Sequence, residues 1–222
     1  MLDVIEKALK EGRKTLSEYE SRQVIESAGV AVAVAALTKT KEEAIREAEQ
    51  MGYPVAMKGC SAELSHKTEA GMVALNVNSA QDVAQVFDAL TGKVKNLDGV
   101  LVEKMVRGSR ELVIGLSQDS SFGPCVMFGL GGIFTEALKD VTFRVAPLTK
   151  QDALEMIDEI KTKKLLGEFR GSPAVDRNAL AKALVGIGDL AIKYEAIAEI
   201  DINPLIVCGD KPVAVDALVV LK

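Results

Sequence analysis

The 222-residue chain has no Trp, only 4% aromatic residues, a single His and three Cys. With so few aromatic side chains, its core must be assembled from Ala, Val, Leu and Ile, the residues that dominate helix-on-sheet packing. Apolar residues make up 48% of the chain, enough for one large domain or two small lobes, and the expected class is α/β. Cys60, Cys125 and Cys208 are odd in number and far apart, which excludes a disulfide framework and the paired spacing of a zinc site. A reducing cytoplasm suits them. No run is apolar enough to span a bilayer, and Met1-Leu2-Asp3-Val4-Ile5-Glu6 carries acid where a secretion signal is basic. Neither a membrane nor export is therefore expected. The net charge of −5 argues against a nucleic-acid partner, although local anion sites remain open to it.

The periodicities that are present alternate between helix and strand. Leu2 to Lys10 repeats apolar residues at helical spacing and stops near Gly12, so a short docking helix is expected within residues 1–12. Ser17 with Glu20 has the capping-box pattern, and the helix it opens ends at Gly29. Strand and helix patterns then alternate: Val30–Leu37, Lys41–Met51, Tyr53–Lys58, Gly71–Val77, Ala80–Leu90 and Gly99–Met105. In the second half, strands are expected at Glu111–Ser117, Pro124–Phe128, Val141–Ala146, Ala198–Ile202, Leu205–Cys208 and Val213–Val219. Helices at Lys150–Lys163 and Asp176–Lys193 would cover them, and Gly209-Asp210 followed by Lys211-Pro212 predicts a closing hairpin. The architecture implied is one domain of two α+β lobes, about 16–102 and 103–222, with a ligand in the cleft between them.

Several segments carry residues suited to phosphate and metal chemistry. Strand alternation sets Asp201 and Asn203 on one face, and the return strand could bring Asp216 beside them. Carboxylate and amide oxygens of this kind suit Mg²⁺, although the same residues also suit a turn capped before Pro204. Lys58 ends an apolar strand, where it either meets an anion such as phosphate or leaves the sheet at its solvent end. Glu103 could accept from an adenine amino group and Glu111 from ribose hydroxyls; surface ion pairs would use them as well. Gly131 and Gly132, in Gly129-Leu130-Gly131-Gly132, offer amides to an anion without forming a P-loop or a dinucleotide fingerprint. Arg144 and Arg170 could add phosphate contacts or pair with carboxylates. His66 lies in the polar stretch Glu63 to Glu69 and is either a solvated surface histidine or a nucleophile toward phosphoryl groups.

Taken in order, Ser65-His66-Lys67-Thr68-Glu69, Gly129 to Phe134, Phe169-Arg170-Gly171 and Asp201-Ile202-Asn203-Pro204-Leu205 resemble one family. It is the ATP-grasp domain of NDP-forming acyl-CoA synthetases, most like the small β subunits of the ADP-forming acetyl-CoA synthetases. The resemblance runs from Leu16 to Asp216. It implies an ATP-grasp fold that uses ATP and ADP as substrates with Mg²⁺ as cofactor. Lys58 would touch nucleotide phosphates, Val102, Glu103 and Met105 would form the adenine hinge, and Glu111 would hold the ribose. Mg²⁺ would sit at Asn203 and Asp216 with Asp201 nearby, Arg144 and Arg170 would be phosphate or loop contacts, and His66 would relay a phosphoryl group. The implied partner is a CoA-binding α subunit carrying the first phosphohistidine, in an α2β2 assembly. The other reading is a nucleotide-sensing regulatory module of a protein acetyltransferase system. The acyl acid and the choice of ADP over GDP are not legible in the residues.

Overall fold

The computed structural model describes residues 2–64, 70–94, 96–132, 140–168 and 171–222. The chain divides into two compact units, one of Leu16–Tyr19 and Ala33–Met105, the other of Met1–Thr15, Glu20–Val32 and Val106–Lys222. This differs from the expected lobes of 16–102 and 103–222: residues 20–32 group with the C-terminal part, as does the N-terminal helix. They are drawn there by main-chain bonds such as Ala214 N–H to Ala31 O at 2.8 Å and Leu221 N–H to Lys14 O at 2.7 Å.

The Ala33–Met105 unit holds β1 (Ala35–Thr38), α3 (Lys41–Met51), β2 (Val55–Cys60), β3 (Val73–Val77), α4 (Ala80–Lys93) and β4 (Gly99–Lys104). The strands form an antiparallel sheet in the order β1-β4-β2-β3. Both helices start at side-chain caps. Thr40 and Glu43 form a capping box on α3, and Ser79 accepts from the Asp82 N–H on α4. Alternation along the strands sends Val55, Met57, Val100 and Val102 into one core with Ala44, Ala48, Val83, Phe87 and Leu90 of the helices. The residues between them, Ala56, Lys58, Leu101 and Glu103, fall on the opposite face and are also buried.

The second unit begins with α1 (Leu2–Lys10), which buries Ile5 and Ala8, and takes in most of α2 (Glu18–Ser27). Its sheet contains β5 (Glu111–Asp119), β6 (Gly123–Leu130), β7 (Val141–Val145), β8 (Ile197–Cys208), β9 (Lys211–Ala214) and β10 (Leu218–Leu221). The order is β10-β8-β5-β6-β7, with β9 also paired to β8. Helices α5 (Lys150–Glu159) and α6 (Arg177–Lys193) supply Met156, Ile157, Leu180, Leu184 and Ile187 to a core with Ile114, Val126, Phe128, Ile200 and Ile202. Helix α5 stops four residues short of the expected Lys163, and a 3-10 turn, Lys163–Leu166, follows.

The expected hairpin at Gly209-Asp210 joins β8 to β9, with Cys208 opposite Lys211. The expected strand Val213–Val219 is instead broken: β9 pairs with residues 205–208 of β8, β10 pairs with residues 197–201, and Val215 to Ala217 bridge the gap. The reason lies opposite the break, at Asn203-Pro204. Proline has no N–H to contribute to a ladder, and the β5 register also shifts there, between Leu112 and Ile114.

Candidate functional site

In the first unit the candidate residues centre on Lys58. It lies inside β2 rather than at its end, opposite Leu101 of β4, while Ala56 is opposite Glu103. Lys58 and Glu103 are thus diagonal neighbours on the face away from α3 and α4. The Lys58 ammonium donates to Glu18 Oε1 at 2.9 Å and to Glu103 Oε2 at 3.4 Å. The three side chains retain 7%, 2% and 4% of their exposure, so the lysine neither leaves the sheet for solvent nor makes a surface pair. It is held between two desolvated carboxylates, an arrangement that fixes its direction closely because each partner would be costly to bury without it. The Glu103 carboxylate is accordingly engaged by Lys58, and Val102 has its side chain in the helix-side core. Any base recognition at 102–105 therefore falls to the main chain, with half-buried Met105 just beyond the strand.

In the second unit, Glu111 opens β5 opposite Ile206. Its carbonyl accepts from Gly131 N–H at 2.8 Å, and its carboxylate lies where a side chain on Gly132 would begin. A Cβ on Gly131 would sit 2.7 Å from the Leu112 carbonyl oxygen, and Gly132 adopts φ +65°. Only glycine fits both places, which brings Glu111 and the amides of Gly131 and Gly132 together. Gly129 and Leu130 belong to β6 instead. Arg144 on β7 donates to the Glu159 carboxylate of α5 and to the Phe143 carbonyl. The pairing with Glu159 raises its guanidinium further above the usual range, against a smaller opposing effect of burial. His66 and Arg170 lie outside the described residues.

Asp201, Asn203 and Asp216 gather at the irregular stretch of β8. Asp201 lies opposite Gly115 of β5 and Leu218 of β10, Asn203 is exposed, and Asp216 sits in the bridge from β9 to β10, accepting from Ala217 N–H at 2.8 Å. Burial first, then the negative charges of Glu199 and Asp216, push the Asp201 carboxyl up to about 6. Burial is the larger cause, and the neighbouring negative charges add to it in a way that a bound cation would relieve. Among the described residues no three His, Cys, Asp or Glu side chains form a metal-holding group. The donors that exist, carboxylate and amide oxygens, fit a Mg²⁺ ion that keeps waters and takes further oxygens from phosphates. Two residues that matter here carry no obvious signal in the sequence: Glu18, which meets Lys58 from 40 positions away, and Arg110, buried immediately before Glu111.

A family model described as an ATP-grasp domain matches residues 7–221. The β subunit of acetate–CoA ligase [ADP-forming] I from Pyrococcus furiosus is 42% identical over 225 residues, which cover 99% of this chain and 97% of that protein. Among solved structures, dinucleotide forming acetyl-coenzyme A synthetase 1 of Ca. Korarchaeum cryptofilum, in complex with coenzyme A, Ca-AMPCP and HgCl+, is similar with a TM-score of 0.93. It is 41% identical, with 100% of this chain and 99% of that one covered. The selenomethionine form of that enzyme with coenzyme A and Mg-AMPPCP, described with its phosphohistidine segment pointing towards the nucleotide binding site, has a TM-score of 0.86. It is 40% identical, with 100% and 99% covered. The chain belongs to the ATP-grasp family, and within it to the β subunits of ADP-forming acetate–CoA ligases.

Proposed function

We propose that the chain is the nucleotide-binding subunit of an ADP-forming acyl-CoA synthetase. It transfers a phosphoryl group between a phosphohistidine and ADP in the reaction acyl-CoA + ADP + phosphate ⇌ acid + CoA + ATP. The observation that carries this reading is the end-to-end match to a β subunit of such a ligase. In the ATP-forming direction a β-phosphate oxygen of ADP attacks phosphorus while the P–N bond to His66 breaks, returning the electron pair to the imidazole. His66 needs no separate base, since its neutral ring is already nucleophilic in the reverse step. Lys58 meets the nucleotide phosphates, Glu111 takes the ribose hydroxyls, and the main chain of Glu103 to Met105, at the end of the strand that Val102 anchors in the core, receives the base. Gly132 offers its amide to the phosphates, Gly131 shapes the turn through its own bond to the Glu111 carbonyl, and Arg144 and Arg170 steady the same charge. Asn203 and Asp216, with Asp201 behind them, hold Mg²⁺, which supplies charge neutralisation on the transferring group.

The partner is a CoA-binding α subunit that carries the first phosphohistidine, in an α2β2 assembly in the cytoplasm. No helix among the described residues is long and apolar enough to cross a membrane. The test mixes the chain with such a partner, acyl-CoA, phosphate and Mg-ADP, and measures ATP. His66→Ala is expected to abolish ATP formation while nucleotide binding persists. Full activity in that variant would remove His66 from the mechanism, and nucleotide binding without ATP formation by the native pair would instead favour a regulatory module.

A further inference from the structure

Arg110 immediately precedes β5 and has no role in the reading above. The residue is buried, with 8% of its exposure left. Each terminal nitrogen of its guanidinium makes two hydrogen bonds, all to main-chain carbonyls. One donates to Leu165 O and Gly167 O, both at 3.3 Å, and the other to Pro173 O at 2.8 Å and Gly209 O at 3.0 Å. A single planar fork thereby ties together the end of the 3-10 turn, the start of the segment leading to α6 and the turn of the β8–β9 hairpin. A guanidinium suits this because its donors diverge in one fixed plane, whereas an ammonium is a compact charge. The main chain at the same residue is also fixed, with its carbonyl accepting from Val207 N–H at 2.9 Å.

We infer that Arg110 is a positioning residue for nucleotide binding, acting through Glu111. With the Arg110 side chain clamped inward and its carbonyl held by β8, the next residue has little freedom. Glu111 is directed outward, its own carbonyl held by Gly131 and its carboxylate set against Gly132. Loss of the fork would free the first residue of β5 and let the carboxylate drift from the ribose. Outer-shell partners of metal ligands change affinity by about 10–100-fold when removed, and Arg110 would aim Glu111 in the same indirect way. The inference rests on the proposed contact between Glu111 and the ribose.

The test uses the chain assembled with its CoA-binding partner and follows steady-state ATP formation in Arg110→Met, Arg110→Lys, Glu111→Ala and the double variant Arg110→Met/Glu111→Ala. Arg110→Met is expected to raise KM for ADP by about tenfold, with KM for phosphate and acyl-CoA unchanged. Arg110→Lys is expected to fall between it and the native chain. The double variant is expected to match Glu111→Ala alone, because two residues acting as one device are not additive. A normal KM for ADP in Arg110→Met beside a raised one in Glu111→Ala would overturn the inference and leave the ribose contact standing. So would additive effects, or a failure of both Arg110 variants to fold, which would make the residue a scaffold only. A silent Glu111→Ala would sink the ribose contact itself and the inference with it.

Discussion

Replacing Lys58 by Met tests the electrostatic reading of the first unit most directly. The change removes the ammonium that lies 2.9 Å from Glu18 and 3.4 Å from Glu103 while nearly conserving volume. Both carboxylates are at most 4% exposed, so water cannot replace the lost cation without opening the structure. Breaking a buried ion cluster from one side costs about 3–5 kcal/mol. For a chain of this size, each kcal/mol is worth about 2–4 °C, so the melting temperature should fall by roughly 6–20 °C. The assay is thermal unfolding by circular dichroism at neutral pH without nucleotide, which separates this effect from any loss of phosphate contact. The triple variant Lys58→Met/Glu18→Gln/Glu103→Gln removes the charges together and should recover most of the loss, since desolvating the ions offsets much of their attraction. A Lys58→Met variant as stable as the native chain, or a triple variant less stable than the single one, would refute the cluster as the element that holds Lys58.

Three further outcomes follow from the geometry. Asp140 accepts from the main-chain N–H groups of Lys161 and Thr162 and from the Thr162 hydroxyl. Burial alone would raise its carboxyl, but these bonds outweigh it and hold the group below the usual range. Its contribution is therefore complete above the unfolded carboxylate value of about 3.9 and vanishes as pH falls through the lower folded value. Asp140→Asn should cost about 1–3 kcal/mol at pH 7 by urea unfolding, and a gap undiminished in strong acid would contradict this. The buried phenol oxygen of Tyr53 has no hydrogen-bond partner among the described residues, so Tyr53→Phe should be neutral or stabilising by up to about 1 kcal/mol; a clear drop in melting temperature would show an unseen partner. Gly131→Ala would press a methyl group to 2.7 Å from the Leu112 carbonyl. It should cost about 1–3 kcal/mol in stability and weaken ADP binding in a calorimetric titration, whereas native affinity would place the glycine turn outside the nucleotide site.

What the sequence reveals and what it hides divide along the range of the interactions. Helices α3, α4 and α6 are legible because each depends on an apolar stripe and a cap within a few residues, as at Thr40 with Glu43 or Asp176 ahead of Arg177. The β8–β9 hairpin is legible for the same reason, its turn being written in Gly209-Asp210. The break between β9 and β10 is not, because its cause is Pro204 on the facing strand. Lys58 shows the limit most clearly. Its position in an apolar run marks it as unusual, but the run cannot say that Glu18 and Glu103 close around it from 40 and 45 positions away.

The same division explains why the candidate site is half visible. Asp201, Asn203 and Asp216 can be nominated because strand alternation and one turn place oxygen donors close along the chain's fold, while the rise of the Asp201 carboxyl comes first from burial and then from Glu199 and Asp216, and so needs the fold in place. Arg110 offers no local hint at all: its acceptors lie 55 to 99 positions away and are all carbonyls, which every residue possesses. A residue that recognises only main chain leaves no complementary side chain to search for, so its role becomes apparent only once the fold has assembled its acceptors. Groups that touch a ligand are thus the ones a sequence can nominate by chemical type, and the groups that aim them are the ones that require a structure. Arg110 beside Glu111 places one of each kind at adjacent positions, which is why the pair can be separated by a double-variant cycle.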